Sequence, residues 1–246
     1  MIYDNRDRAL VRNGLFALTT LAWILAVWSP GIRAHHHAAA RVFSASAAAN
    51  WLLMLAAMMA PVLIQPFQFI RSSSFASRRM RSTLLFAAGY TVVWMFAGAL
   101  MISLAAAQRS SGLPPFVSVA AVFLVAFAWQ CSPAKQICLN GCHAFRPLAA
   151  FSRAADIDAL VFGLTHGAWC AGSCWAWMLL PLLLSSGHLV AMAATAVLIF
   201  CERLDGPAPV GWRWRGLGRA CRIVARRITL VLSPRPQEVN AARFAA

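Results

Sequence analysis

The sequence predicts an all-α fold, a polytopic membrane helix bundle with about six transmembrane helices. Of its 246 residues, 61% are hydrophobic and only 12% are charged, and the mean hydropathy is +0.66. These values lie outside the range of ordinary soluble domains. Six stretches approach the roughly 20 apolar residues that a helix needs to cross the hydrocarbon. They are 12–29, 46–70, 83–107, 114–132, 159–184 and 187–202.

The six stretches differ in character. The first follows an arginine-rich N-terminus and resembles an uncleaved signal, but it lacks a small-residue cleavage site before His35, so we interpret it as a span. In the second, Pro61 and Pro66 each remove a backbone hydrogen bond, which predicts kinks. The third, 83–107, contains no charged residue. The sixth is short and ends at Glu202.

The distribution of basic residues predicts the orientation, because the translocation of Lys and Arg is disfavoured. Of the 22 Lys and Arg, all except Arg33, Arg41 and Arg109 fall on the side that holds both termini. We therefore expect an even number of crossings, with both termini in the cytoplasm and the bundle in a bacterial inner membrane. The net charge of +15 is then a topology signal, and no nucleic-acid partner is expected.

The chain divides into a transmembrane domain, 1–204, and a basic cytoplasmic tail, 205–246. In the tail, Trp212 and Trp214 lead into arginines that alternate with apolar residues. This pattern is typical of a helix that lies on anionic lipid headgroups. The alternative interpretation is a solvated basic tail.

Two cysteine pairs at helical spacing carry most of the chemical information. Cys138 and Cys142, and likewise Cys170 and Cys174, are four residues apart, so each pair projects from one helix face. His166 lies one turn before Cys170 on the same face. Thiolate ligands select Cu(I), and imidazole also suits copper. The two pairs therefore predict a soft-metal site, with copper as the favoured ion, provided that they meet inside the bilayer.

Lys135, Met54 and Met58 are secondary candidates. Lys135 is the only lysine of the chain, and a cation beside Cys138 would favour the thiolate, the form that binds metal. Met54 and Met58 share a helix face, and as thioethers they could add to a copper site. Pro133, just before Lys135, predicts that the fourth helix kinks or that a new helix begins there.

Three further features leave alternatives open. The run His35, His36 and His37 lies in the first outward loop and is a weak signal for metal capture. Glu202 could pair with Arg203 or lie at the interface, or it could serve a proton or metal path. The cysteines themselves could pack as small hydrophobic residues, without a chemical role.

Three blocks of residues and a final acid resemble the bacterial family of predicted metal-binding integral membrane proteins. They are Trp51, Met54, Ala57, Met58, Met59 and Pro61; Trp129, Gln130, Lys135, Cys138 and Cys142; Gly167, Cys170, Gly172, Cys174, Trp175 and Met178; and Glu202. The resemblance covers about residues 46–204 and implies a helical membrane fold that binds metal. The family usually has a doubled cysteine in the third block, where this chain has Ser173 before Cys174.

Together these features favour an integral membrane protein that binds copper, or a similar soft transition metal, for transport or for delivery to a membrane metalloenzyme. The expected partners are the lipid bilayer and a metalloenzyme or metallochaperone. The alternative is a membrane thiol–disulfide oxidoreductase, although catalytic dithiols are more often two residues apart. A third interpretation is a small-solute channel or assembly factor. The sequence has no phosphate-binding loop and no hydrolytic arrangement, so neither an ATP motor nor a hydrolase is expected, and a binding role is favoured over an enzymatic one.

Overall fold

A computed structural model describes residues 5–28, 44–149, 151–184 and 186–232. The described residues form helices and connecting segments without a strand. The helices are α1 (Asn5–Trp28), α2 (Ala45–Met59), α3 (Ile64–Ser73), α4 (Arg79–Ser110), α5 (Pro115–Cys131), α6 (Pro133–Cys142), α7 (Ser152–Leu183), α8 (His188–Leu204) and α9 (Gly218–Leu232). The predicted all-α class is confirmed. The histidine run His35, His36 and His37 lies outside the described residues.

Three helical segments are long and apolar enough to cross a membrane: Asn5–Trp28, Ala45–Ser73 and Ala76–Ser110. A fourth joins them if the bent pair α5 and α6 counts as one span. Each of the six predicted segments is helical over most of its described residues, but α7 and α8 do not qualify by length and apolarity in the described part of the chain. The reasons are that α8 has only 17 residues, and that α7, with 32 residues, carries polar and small side chains.

Proline breaks the regular helix at two of the predicted places. Pro61 lies in a 3-10 turn, Ala60–Leu63, that connects α2 to α3. Pro133 is the first residue of α6, and the Ser132 hydroxyl accepts a hydrogen bond of 3.2 Å from the Lys135 backbone. This serine cap starts a new helix, and α6 is bent by 66° from α5. The bend therefore separates Cys131 from the face that carries Lys135.

The central helix is α7, which packs against α4, α5, α6 and α8. Its contact with α4 is very close because both helices lack side chains there. A Cβ at Gly163 would collide with the backbone of Phe86, and one at Gly89 would lie 2.6 Å from the Leu160 carbonyl oxygen. Small residues permit such close packing of helices. In the middle of α7 the polar side chains of His166 and Ser173 are buried against these helices.

Candidate metal centre

Cys170 and Cys174 lie on α7 and are completely buried, each with 0% exposure. The Cys170 sulfur is 3.3 Å from the Tyr90 hydroxyl on α4. The Cys174 thiol donates a hydrogen bond of 3.1 Å to the Cys170 backbone carbonyl. Both thiols therefore point into the bundle and are shielded from its outer surface.

The second pair lies on α6, which packs against α7. Cys142 is buried and Cys138 is half-buried. A Cβ at Gly172 would lie 2.8 Å from the Cys138 sulfur. Residues two apart on a helix point to opposite sides, so Cys138 contacts the face of α7 that is turned away from Cys170 and Cys174. Cys142 is near enough to Cys170 for their charges to interact. One thiol of each pair, Cys142 and Cys170, therefore lies close to the other pair.

Arg203 on α8 lies among these thiols. Its charge interacts with Cys142, Cys170 and Cys174, and its Nη2 donates a hydrogen bond of 3.1 Å to the Ser173 hydroxyl. Its Nε and Nη1 are buried, with no hydrogen-bond partner among the described residues. A nearby guanidinium stabilises thiolates, the form in which cysteine binds metal.

Lys135 on α6 forms an ion pair with Glu202 on α8. Its ammonium lies 2.7 Å from the Glu202 carboxylate and donates a hydrogen bond of 2.6 Å to the Gln130 side chain. Trp177 donates to the same Gln130 oxygen at 2.5 Å. Both charged side chains are buried, with exposures of 0% and 1%. Glu202 therefore pairs with Lys135, whose influence on the thiols stays a prediction.

A cavity of about 190 Å³ opens beside Cys142 and is also lined by His143, His166 and Arg203. Both ring nitrogens of His166 and Nε2 of His143 are buried without a hydrogen-bond partner in the described ranges. Buried polar atoms normally have partners, and leaving them without one is costly. Burial, and then the charge of Arg203, lower the pKa of His143, so its imidazole is neutral near pH 7. A neutral imidazole is the form that binds metals.

A family model described as PpoB2, copper chaperone, matches residues 48–224. This match covers more than half of the 246-residue chain. The chain belongs to this family of copper chaperones. The match includes both cysteine pairs, the two cavity histidines and the buried ion pair. No curated protein and no solved structure matches the chain.

The methionines of this copper chaperone family member belong to the same buried core as its thiols. Met54 and Met58 of α2 are 4% and 1% exposed, and Met178 of α7 and Met192 of α8 are fully buried. All four lie in one cluster with Cys142, Cys170 and Cys174. Met54 also lines a small cavity with His188 at the opposite end of α2 from His166. The sequence analysis did not single out Met192.

The thiols of this copper chaperone family member do not converge on one point. Among the described residues, no three His, Cys, Asp or Glu side chains are close enough together to hold a metal ion. The seven cysteines, all within the described ranges, are free thiols. Arg203 is the charged group between them. The assignment of Cys138, Cys142, Cys170, Cys174, His166, Met54 and Met58 as metal ligands therefore stays a prediction.

Proposed function

We propose that this protein holds Cu(I) between α6, α7 and α8 and transfers it to a copper-requiring protein of the membrane. One observation carries the proposal: Cys142 of α6 lies close to Cys170 of α7 and borders a cavity whose imidazole nitrogens lack hydrogen-bond partners among the described residues. Sulfur ligands select Cu(I) over hard cations. Membership of a copper chaperone family supports copper as the cargo.

Arg203 gives the proposed site a means of binding and releasing copper. Without metal, its guanidinium supplies the positive charge beside Cys142 and Cys170. Two thiols that bind Cu(I) release their protons as they become thiolates. Bound Cu(I) then supplies, beside the thiolates, the positive charge that the guanidinium supplies in the metal-free protein. Movement of Arg203 away from the thiols would let the ligands converge, and its return would favour release of the ion to a partner.

The buried methionines extend the sulfur-containing region along the bundle. Met178 and Cys170 are separated by roughly 12 Å along α7, at a rise of 1.5 Å per residue. On α2, Met54 lines the small cavity at His188 and Met58 follows one turn later, while Pro61 and Val62 beyond the end of α2 line the larger cavity at His166. This arrangement supports movement of copper between the two ends of the bundle, and hence a transport or delivery role.

We further propose that all six predicted segments cross a bacterial inner membrane, with both termini in the cytoplasm. With 32 residues, α7 is about 48 Å long and exceeds the roughly 30 Å of the hydrocarbon core. Its polar side chains lower its hydropathy, but His166 and Ser173 in its middle are buried in the bundle, where membrane proteins place such groups. The concentration of basic residues on one side supports the orientation.

Copper loading tests this function. The purified protein, loaded with Cu(I) under reducing conditions, should retain about one copper per chain, and the Cys170→Ser/Cys174→Ser variant less than roughly a tenth of that. The matched control is Cys131→Ser/Cys201→Ser, which removes two half-buried thiols outside the site and should retain copper normally. Equal retention by both variants would contradict the proposal. Recovery of a mixed disulfide with a soluble protein, without retained copper, would favour the thiol–disulfide alternative.

A further inference from the structure

A cavity of about 760 Å³ lies at the junction of α6, α8 and α9. Its lining includes Arg213, Arg219, Arg222 and Arg226, and we call it the arginine cleft. The volume falls in the range typical of sites for small molecules, about 300–1,000 Å³. The cleft is separate from the thiol region and does not depend on copper binding.

Several hydrogen bonds hold the floor of the arginine cleft in place. Arg215 is buried and donates hydrogen bonds to the Gln136 side chain at 2.5 Å and to the Ser132 carbonyl at 3.0 Å. The backbone of Arg213 donates a hydrogen bond of 3.1 Å to the Cys131 carbonyl. Asn140 makes two hydrogen bonds with the backbone of Ala208, of 2.9 and 3.1 Å. These contacts hold the segment before α9 against α5 and α6.

The lining carries an excess of positive charge. Arg213, Arg219, Arg222 and Arg226 are exposed, and none of them forms an ion pair with a carboxylate in the described part of the chain. Two carboxylates, Glu202 and Asp205, also line the cleft, but Glu202 is paired with Lys135, so positive charge remains in excess. Four guanidinium groups around one concave surface therefore favour an anion, and planar guanidinium groups recognise phosphate especially well.

Exposed apolar side chains border the arginines. On α9, Arg219, Arg222 and Arg226 follow the spacing of one helix face. Leu217 and Ile223 line the cleft beside them and are 45% and 44% exposed. The exposures of Trp212 and Trp214, in the preceding segment, are 73% and 48%. Tryptophan is enriched where membrane meets water, and a helix with basic and apolar faces is typical of a membrane surface. A lipid offers both a phosphate for the arginines and acyl chains for these residues.

We infer that the arginine cleft binds the phosphate headgroup of an anionic phospholipid. The guanidinium groups of α9 and Arg213 contact the phosphate, while the apolar side chains beside them contact the acyl chains. An acidic segment of a soluble protein would satisfy the charges but would leave the exposed apolar side chains uncovered. Free phosphate would likewise use only the charged part of the surface.

The test uses the full-length protein in neutral detergent and counts bound lipid by native mass spectrometry during titration with short-chain phosphatidylglycerol. The Arg219→Gln/Arg222→Gln/Arg226→Gln variant should bind about 100-fold more weakly, since each basic residue near a lipid surface contributes about fivefold. The matched control, Arg12→Gln/Arg146→Gln/Arg153→Gln, loses the same charge from exposed arginines outside the cleft and should bind as the parent protein does. Replacement of the three cleft arginines by lysine should preserve part of the binding.

Three results would overturn the inference. The first is equal binding of phosphatidylglycerol by the cleft variant and the control variant. The second is equally strong binding of phosphatidylcholine, which has no net charge. The third is displacement of the lipid by inorganic phosphate or polyglutamate at the same concentration, which would identify a soluble phosphate or an acidic peptide as the ligand. The inference is supported if inorganic phosphate and polyglutamate each displace the lipid only weakly and if binding is lost in the cleft variant alone.

Discussion

The buried ion pair between Lys135 and Glu202 allows a sharp test of the packing around α8. Replacement of Lys135 by Met removes an ion pair of 2.7 Å and a hydrogen bond of 2.6 Å to Gln130. The Glu202 carboxylate, with 1% exposure, is then left in the interior without a counter-ion. Breaking a buried pair in this way costs about 3–5 kcal/mol. The Lys135→Met variant should therefore lose a large part of its free energy of unfolding.

The assay is denaturant unfolding of the purified protein in detergent, followed by tryptophan fluorescence. Arg81→Met is the matched control, because Arg81 forms an ion pair of the same length, 2.7 Å, with Asp156 but is 68% exposed. Its loss should cost only about 0–1 kcal/mol. Adding Glu202→Leu to Lys135→Met should restore most of the stability, since no unpaired charge remains. The reasoning is refuted if Lys135→Met is no less stable than Arg81→Met.

Three other variants test neighbouring parts of the structure. Gly163→Ala should lower the free energy of unfolding by about 1–3 kcal/mol through overpacking, whereas Gly206→Ala, which has open space around it, should not. Arg203→Gln should slow alkylation of Cys142 by iodoacetamide about tenfold, since the cation that favours its thiolate is lost; an unchanged rate would contradict this. The lowered pKa of His143 means that the unfolded chain takes up a proton first as the pH falls, so stability should decline below about pH 6.5. In His143→Gln, measured by the same unfolding assay, that decline should be smaller.

Much of the fold follows from local sequence patterns. The six apolar segments are helical, and Pro133 begins a new helix because it can occupy the first turn but not the interior. The spacing within each cysteine pair places its members on one helix face. A local pattern cannot show which faces meet, however. The contact of Cys138 with α7 at Gly172 depends on the 66° bend between α5 and α6.

The charged groups of the site were harder to predict, because their partners are far away in sequence. Glu202 and Arg203 are adjacent, and a local pairing between them was one interpretation. On a helix, adjacent side chains point in different directions, so Glu202 contacts Lys135 and Arg203 turns towards the thiols. The polar composition of α7 has a similar explanation. A helix surrounded by other helices can carry histidine, serine and cysteine, which lowers the hydropathy by which spans are recognised.

X-ray absorption spectroscopy of the Cu(I)-loaded protein tests the central claim most directly, because it identifies the atoms bound to copper. The account predicts that sulfur dominates the ligands in the parent protein and in Cys131→Ser/Cys201→Ser. In Cys170→Ser/Cys174→Ser the sulfur contribution should be lost together with most of the copper. A copper site surrounded by nitrogen and oxygen alone, or an unchanged sulfur signal after removal of Cys170 and Cys174, would contradict a thiol site between α6, α7 and α8.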